Sequence, residues 1–167
     1  KRDGNDVLLA ARLSKTDLMT DMVKEFTELQ GQVGGIYARE EGLSEPVWQA
    51  IYDHNKPVSS DDPLPRGAAG AIVSLADRID TLVGFFRIGA RPTGSKDPFA
   101  LRRAAQGLVQ ILLNSTNWEI DIGPEQLVDI AIAAHGGNAA EAKGDLLEFL
   151  AERVRTFLEG APWGFAY

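Results

Sequence analysis

The densest run of reactive side chains lies at Arg87-Ile88-Gly89-Ala90-Arg91-Pro92-Thr93-Gly94-Ser95-Lys96-Asp97-Pro98-Phe99-Ala100-Leu101-Arg102-Arg103. Five cations, two hydroxyls and two glycines stand there against one carboxylate. Asp97 followed by Pro98 predicts a helix start: a capping carboxylate, then proline at the first helical position, with the helix running to about Asn114. Free N–H groups at such a terminus favour anions, and glycines let a phosphate approach the main chain. The candidate RNA-phosphate contacts are Arg87, Arg91, Thr93, Ser95, Lys96, Arg102 and Arg103. The same residues could instead build a rigid loop whose arginines pair with Asp and Glu elsewhere in the fold.

Two carboxylate pairs come next. Asp17 and Asp21 are four apart, so on one helix they would share a face and could hold a divalent cation. A Mg²⁺ or Ca²⁺ site wants more oxygens than that, and Lys24 and Glu25 make the face an ordinary solvated first turn. Asp77 falls between Leu75-Ala76 and Ile79, where a carboxylate facing inward must be paired or hydrogen-bonded. It reads as a former metal ligand or as the anchor of a buried polar network, with Asp80 at i+3 beside it. His54 and His135 stand in different segments without a His or Glu at ligand spacing, and each reads as a helix C-terminal residue. The chain has no cysteine, which excludes disulfides, thiolate metal sites and cysteine catalysis. It also lacks a G-x-S-x-G elbow, a Walker loop and a G-x-G-x-x-G turn, so nucleotide hydrolysis and hydride transfer have no support.

Helices must position these groups, because periodicity predicts little else. Residues 7–13 look like the end of a buried helix. Asp17 to Leu29 carries apolar residues at Leu18, Met22, Phe26 and Leu29, spaced by three or four as one face requires, before Gly31 and Gly34-Gly35 break it. Ser44 is a plausible N-cap, with Pro46 in the first turn, for a helix through Trp48, Ile51 and Tyr52. After a proline-rich loop at 55–66, Ala68 to Phe86 is strongly apolar. Residues 118–122 alternate like a short strand, although five residues alone make no sheet. Pro124 opens a helix ending near His135, and Asp145 to Leu158 forms the last. The expectation is an all-α bundle with a boundary near Asn117, dividing the chain into 1–116 and a helical continuation at 117–167.

With 167 residues, 44% of them hydrophobic and 25% charged, the chain can bury a core of its own. No apolar run reaches the roughly 18 residues that a membrane span needs. The net charge of -7 opposes general affinity for nucleic acid. The charge is uneven, however: residues 66–118 hold seven basic side chains against three acidic ones, inside an otherwise acidic chain. This local basic segment suits contact with an anionic partner, or it is ordinary helix-face solvation. The start without Met and the apolar end, with Trp163, Phe165 and Tyr167, suggest a piece of a longer protein whose end packs on a neighbouring surface.

Three long stretches carry a resemblance. They are Leu18-Met19-Thr20-Asp21-Met22-Val23-Lys24-Glu25-Phe26-Thr27-Glu28-Leu29-Gln30-Gly31, then Leu75-Ala76-Asp77-Arg78-Ile79-Asp80-Thr81-Leu82-Val83-Gly84-Phe85-Phe86, then residues 91–103. Together they resemble the β subunit of the bacterial two-subunit glycyl-tRNA synthetase over most of residues 7–114. The resemblance implies an α₂β₂ assembly that charges tRNA with glycine in the cytoplasm. The α subunit carries the adenylate-forming site, and β supplies tRNA recognition. It also implies that this part of β is an HD-like helical bundle, related in fold to metal-dependent phosphohydrolases. ATP and Mg²⁺ serve the parent enzyme, and the implied partners are tRNA, the α subunit and the remaining β domains.

In a working HD enzyme, the Ala10-Ala11-Arg12-Leu13 helix would be followed by a metal-gripping His-Asp pair. This chain has Ser14-Lys15 there, and an ammonium group repels a cation. Asp77 matches the last ligand of that pattern, and its first His would lie upstream of Lys1. Ser14, Lys15 and Asp77 are therefore read as vestigial positions, with no metal, no cofactor and no catalysis in this segment. The family pattern also has an aromatic where Asn55 stands and a bulkier run in place of Gly67-Ala68-Ala69. The alternatives are a degenerate HD-type phosphohydrolase and a purely structural interaction module.

Overall fold

In the computed structural model, which describes residues 4–94 and 96–160, helices α1 (Gly4–Leu13), α2 (Asp21–Glu25), α3 (Gln32–Glu40) and α4 (Glu45–Asp53) precede the long α5 (Ala68–Arg87). α6 (Leu101–Leu113), α7 (Pro124–His135) and α8 (Lys143–Gly160) complete the order. Among the described residues there is no strand, so the class is all-α as expected. The chain divides into two compact units, Lys1–Pro57 with Asp61–Leu75, and Val58–Ser60 with Ala76–Tyr167. The division falls inside α5.

In the first unit Ala10, Ala38, Val47, Ala50, Ile51 and Val73 form the core, with Val7, Leu13, Leu43 and Trp48 packed on its edge. α1 contributes less than its sequence suggested: Leu8 and Leu9 are exposed, and its one buried residue is Ala10. The helix expected from Asp17 to Leu29 is replaced by two 3₁₀ turns flanking the short α2. Thr20 takes extended backbone and interrupts it. Its hydroxyl donates to the Asp17 carbonyl at 2.6 Å and accepts from the Val23 amide, capping α2. Leu18, Met22 and Phe26 are consequently exposed, so their spacing marks no buried face. Asp17 is buried and Asp21 is fully exposed, so the two carboxylates do not share a face.

Asp17 has a different task. Its Oδ2 accepts from the Gly31 amide at 2.6 Å and the Gly34 amide at 3.2 Å, at the start of α3. Gly31 has φ of +83°, a conformation that favours glycine. Gly34 and Gly35, expected to break a helix, lie buried inside α3 instead. A Cβ on Gly35 would stand 2.5 Å from Tyr52 Cβ and 2.8 Å from its Cα. The glycine is there so that α3 can approach the backbone of α4.

α4 begins where expected, with Ser44 at the N-cap position and Pro46 in the first turn. The Ser44 hydroxyl, however, donates to Asp6 and accepts from no amide of its own helix. At the other end of α4, Asp53 is buried and accepts from Arg66 Nε at 2.7 Å, Arg66 Nη2 at 3.1 Å and the Arg66 amide at 3.0 Å. Lys56 Nζ lies 2.9 Å away. Burial alone would push the Asp53 carboxyl up, but these bonds outweigh it and hold the pKa below the usual carboxylate value. His54 is buried next to it, with Nδ1 2.7 Å from the Ile51 carbonyl, which fits its reading as a helix C-terminal residue.

In the second unit α6 and α7 pack on α8, and Leu101, Leu108, Ile111, Val128 and Leu146 are fully buried. Phe86 meets Phe149 at a ring-centroid distance of 5.3 Å. Residues 118–122 form no strand: a 3₁₀ turn at Ser115–Trp118 is followed by Glu119 at φ 53° and irregular backbone. Alternation there had no neighbouring strand to pair with.

Candidate functional site

The segment from 87 to 103 is anchored at both ends. α5 closes at Gly89 (φ 73°), where the Gly89 amide donates to the Phe86 carbonyl and the Ala90 amide to the Phe85 carbonyl, both at 3.0 Å. This is the paired closure that a left-handed glycine permits at a helix end. Thr93 and Lys96 exchange both backbone hydrogen bonds, at 3.1 and 2.9 Å, around Gly94. Phe99 stacks on Phe85 at 4.4 Å and ties the far limb back to α5.

The start of α6 differs from expectation. Ala100 adopts a left-handed conformation (φ 54°), which cannot continue a helix begun at Pro98, so α6 starts at Leu101. Asp97 still caps it from upstream. Its Oδ1 accepts from the Leu101 amide at 2.8 Å and its Oδ2 from the Arg102 amide at 2.9 Å. The amides that the sequence offered to an anion are thus already held by a carboxylate, and the available positive charge lies in the side chains.

Those side chains fall into two groups. Arg87 lies with Nη1 3.4 Å from the His135 carbonyl and 3.5 Å from its Nδ1, while His135 Nε2 is 2.9 Å from Asp80. Arg91 pairs with Asp145 and sits 5.8 Å from the centre of the Phe86 ring. Arg102 donates to the Gly94 carbonyl at 2.7 Å and reaches the Lys96 carbonyl at 3.5 Å, bracing the turn. Arg102 thus braces the loop itself, while Arg87 and Arg91 tie its N-terminal limb to His135 of α7 and Asp145 of α8. Lys96, Arg103 and Thr93 are exposed, and among the described residues neither cation makes an ion pair. Ser95 lies outside the described residues, as do Trp163, Phe165 and Tyr167.

Sequence reasoning missed two cationic positions. Arg66 closes on Asp53 across thirteen residues, and nothing local marks that pairing. Arg78 lies against Gly107, where a Cβ would approach its Cζ and Nη1 to 2.6 Å. Burial pushes the Arg78 guanidinium pKa down, and the charge of Asp77 opposes that shift. Asp77 itself is half-buried. Ser14 and Lys15, read from the sequence as vestigial metal positions, do not suit a metal. Ser14 is buried with its hydroxyl donated to the Ala11 carbonyl at 3.0 Å, and Lys15 carries an ammonium group. Among the described residues no group of three or more His, Asp or Glu side chains is placed to hold a metal ion.

The family described as glycyl-tRNA synthetase beta subunit matches residues 3–165. The chain belongs to that family. It is 46% identical over 156 residues to the glycine–tRNA ligase beta subunit of Janthinobacterium sp. (strain Marseille), covering 93% of this chain and 22% of that protein. The Acidobacterium capsulatum beta subunit is 48% identical over 153 residues, covering 91% of this chain and 21% of the relative. The Chromohalobacter salexigens beta subunit is 44% identical over 160 residues, covering 94% and 23%. The chain thus spans about a fifth of the length of these glycyl-tRNA synthetase β subunits. The match extends well past residue 114, through α7 and α8, where the sequence alone suggested only a generic helical continuation. Among the described residues no helix is long and apolar enough to cross a membrane.

Proposed function

We propose that this chain is a tRNA-recognition and structural part of a glycine–tRNA ligase β subunit, an HD-like helical region without catalysis of its own. It supports ATP-dependent charging of tRNA with glycine by a cytoplasmic α₂β₂ enzyme. Its partners in this reading are tRNA, the α subunit and the remaining β domains, while ATP and Mg²⁺ act elsewhere in the assembly. The family, and relatives named as glycine–tRNA ligase beta subunits, support the biological setting.

One observation carries the RNA assignment. Lys96, in a loop braced by Arg102 and the Phe85–Phe99 stack, and Arg103, in the first turn of the Asp97-capped α6, are both exposed. Two cations without carboxylate partners among the described residues suit backbone phosphates, with the Thr93 hydroxyl available to a phosphate or a 2′-OH. Arg87, Arg91 and Arg102 act mainly as the frame. The test is a titration of the chain with glycine tRNA across a salt series. Lys96→Ala and Arg103→Ala should each weaken binding and lower the log–log salt slope by about one unit. Arg91→Ala, whose guanidinium is already committed to Asp145, should leave the slope unchanged. No binding even at low salt, or equal slopes for all variants, would make the segment a structural loop.

A further inference from the structure

An apolar groove of 400 Å³ opens in the second unit between α6, the start of α7 and α8. Its lining includes Leu113, Ile122, Leu147, Leu150, Ala151 and Val154, and among the described residues no polar side chain joins them. Small-molecule sites carry a few placed polar groups that orient the ligand, so this groove suits a packing segment of protein instead. Its α8 wall is written in the sequence: Leu147, Ala151, Val154 and Leu158 recur at i, i+4, i+7 and i+11, one stripe of a helix, with Leu150 beside it. Leu158 is exposed in the last turn of α8, so the stripe extends from the groove to the point where the chain leaves the helix.

The residues that follow Gly160 are Ala161-Pro162-Trp163-Gly164-Phe165-Ala166-Tyr167, with three aromatic rings and no charged side chain. Pro162 cannot extend α8 and disfavours helix at the residue before it, which favours a change of direction there. Trp163, Phe165 and Tyr167 alternate, and in an extended chain alternate side chains share one side, about 6.7 Å apart. Stripe positions four residues apart on a helix are about 6 Å apart, nearly the same spacing. Extended, the run from Trp163 to Tyr167 spans about 17 Å, and α8 from Leu158 back to Leu147 spans about 16 Å. A tether this short also keeps the rings at a high effective concentration beside the groove, against which a free partner must compete.

We propose that residues 161–167 fold back along α8 and seat Trp163, Phe165 and Tyr167 in this groove. The path is antiparallel to the helix: Trp163 lies nearest Leu158 and Val154, and Tyr167 nearest Leu150 and Leu147. Phe165 falls between them, beside Ala151, whose small exposed side chain leaves room for a ring. The contact uses none of the cations of residues 87–103 and does not depend on the RNA reading.

The test is nuclear Overhauser spectroscopy on the full chain with labelled Leu and Val methyl groups. Expected are cross-peaks from the Trp163 ring to Val154 and from the Tyr167 ring to Leu150 or Leu147, unchanged on dilution. Trp163→Ser combined with Phe165→Ser lies beyond α8, so it should shift the Val154 and Leu150 methyl signals while the circular dichroism stays the same. Ala151→Glu puts a good helix former with a charge at an exposed position of the groove, and should abolish the cross-peaks without unfolding α8. Absence of the cross-peaks from the unsubstituted chain, with its fold intact by circular dichroism, would overturn the proposal. So would their persistence in Ala151→Glu, or ring contacts with methyl groups outside the groove. Cross-peaks between differently labelled copies, growing with concentration, would make the groove a seat for a second chain and overturn it as well.

Discussion

Replacing Arg66 by alanine should cost the first unit about 3 kcal/mol, and most of that cost should vanish in acid. The Asp53 carboxyl is 1% exposed and accepts from two guanidinium nitrogens, the Arg66 amide and Lys56. Alanine keeps the amide bond and leaves Lys56 in place, so two charge-assisted bonds are lost. Each is worth about 1.5–3 kcal/mol when the acceptor is buried. The guanidinium is 42% exposed, which discounts the pair to roughly 2–3 kcal/mol in all. Arg66 also lies 4.9 Å from the Tyr52 ring centre and 5.3 Å from that of Trp48, adding about 0.5 kcal/mol or more.

The pH dependence has a definite sign. Asp53 has its pKa lowered on folding, so its contribution is complete above the unfolded value near 3.8 and is lost as pH falls through the lower folded value. Without Arg66, burial acts with less opposition and the folded pKa rises. The gap between wild type and variant should be widest at pH 7 and should close as pH falls through the carboxyl range. Urea unfolding followed by circular dichroism at pH 7 and at steps down to pH 3 measures it. A loss under about 0.5 kcal/mol at pH 7, the scale of an ordinary surface change, or an equal gap at both ends of the series, would refute the reasoning.

Two further substitutions test the same unit. Gly35→Ala puts a Cβ 2.5 Å from Tyr52 Cβ against rigid backbone, and should destabilise by about 3 kcal/mol in urea unfolding. An alanine variant as stable as wild type would mean that α3 and α4 do not meet at this distance. Asp17→Ala removes the acceptor for the Gly31 and Gly34 amides and should cost about 1–2 kcal/mol, with faster hydrogen exchange at both amides. Unchanged exchange there would show that Asp17 does not hold the start of α3.

Where helices were long and strongly apolar, the sequence sufficed. α5 and α7 begin and end within a residue or so of their reading, and α8 within two, because an apolar stripe of several turns and a proline at the first turn are local signals. The short pieces before α3 were not legible. Leu18, Met22 and Phe26 keep helical spacing, yet a single Thr20 hydroxyl gave the backbone an alternative to a continuous helix. Gly34-Gly35 looked like a break because helix propensity is intrinsic, whereas their purpose, room for α4, is a property of another segment.

The candidate site divides along the same line. Residue types and spacing alone located the 87–103 segment, its excess of cations and Asp97 as a capping group, since each depends on near neighbours in the chain. The family was readable too, from three long stretches that hold their order. Which cations remain open was decided by folding. Asp145 reached Arg91 from 54 residues away, and His135 met Arg87 from 48, while Lys96 and Arg103 were left facing solvent. Asp53 and Arg66, the best-built ion pair of the first unit, lie at the end of one helix and in the loop beyond it. Composition and periodicity are sums over local preference, and a charge pair is a meeting of two distant ones, so only the tertiary structure could make that choice.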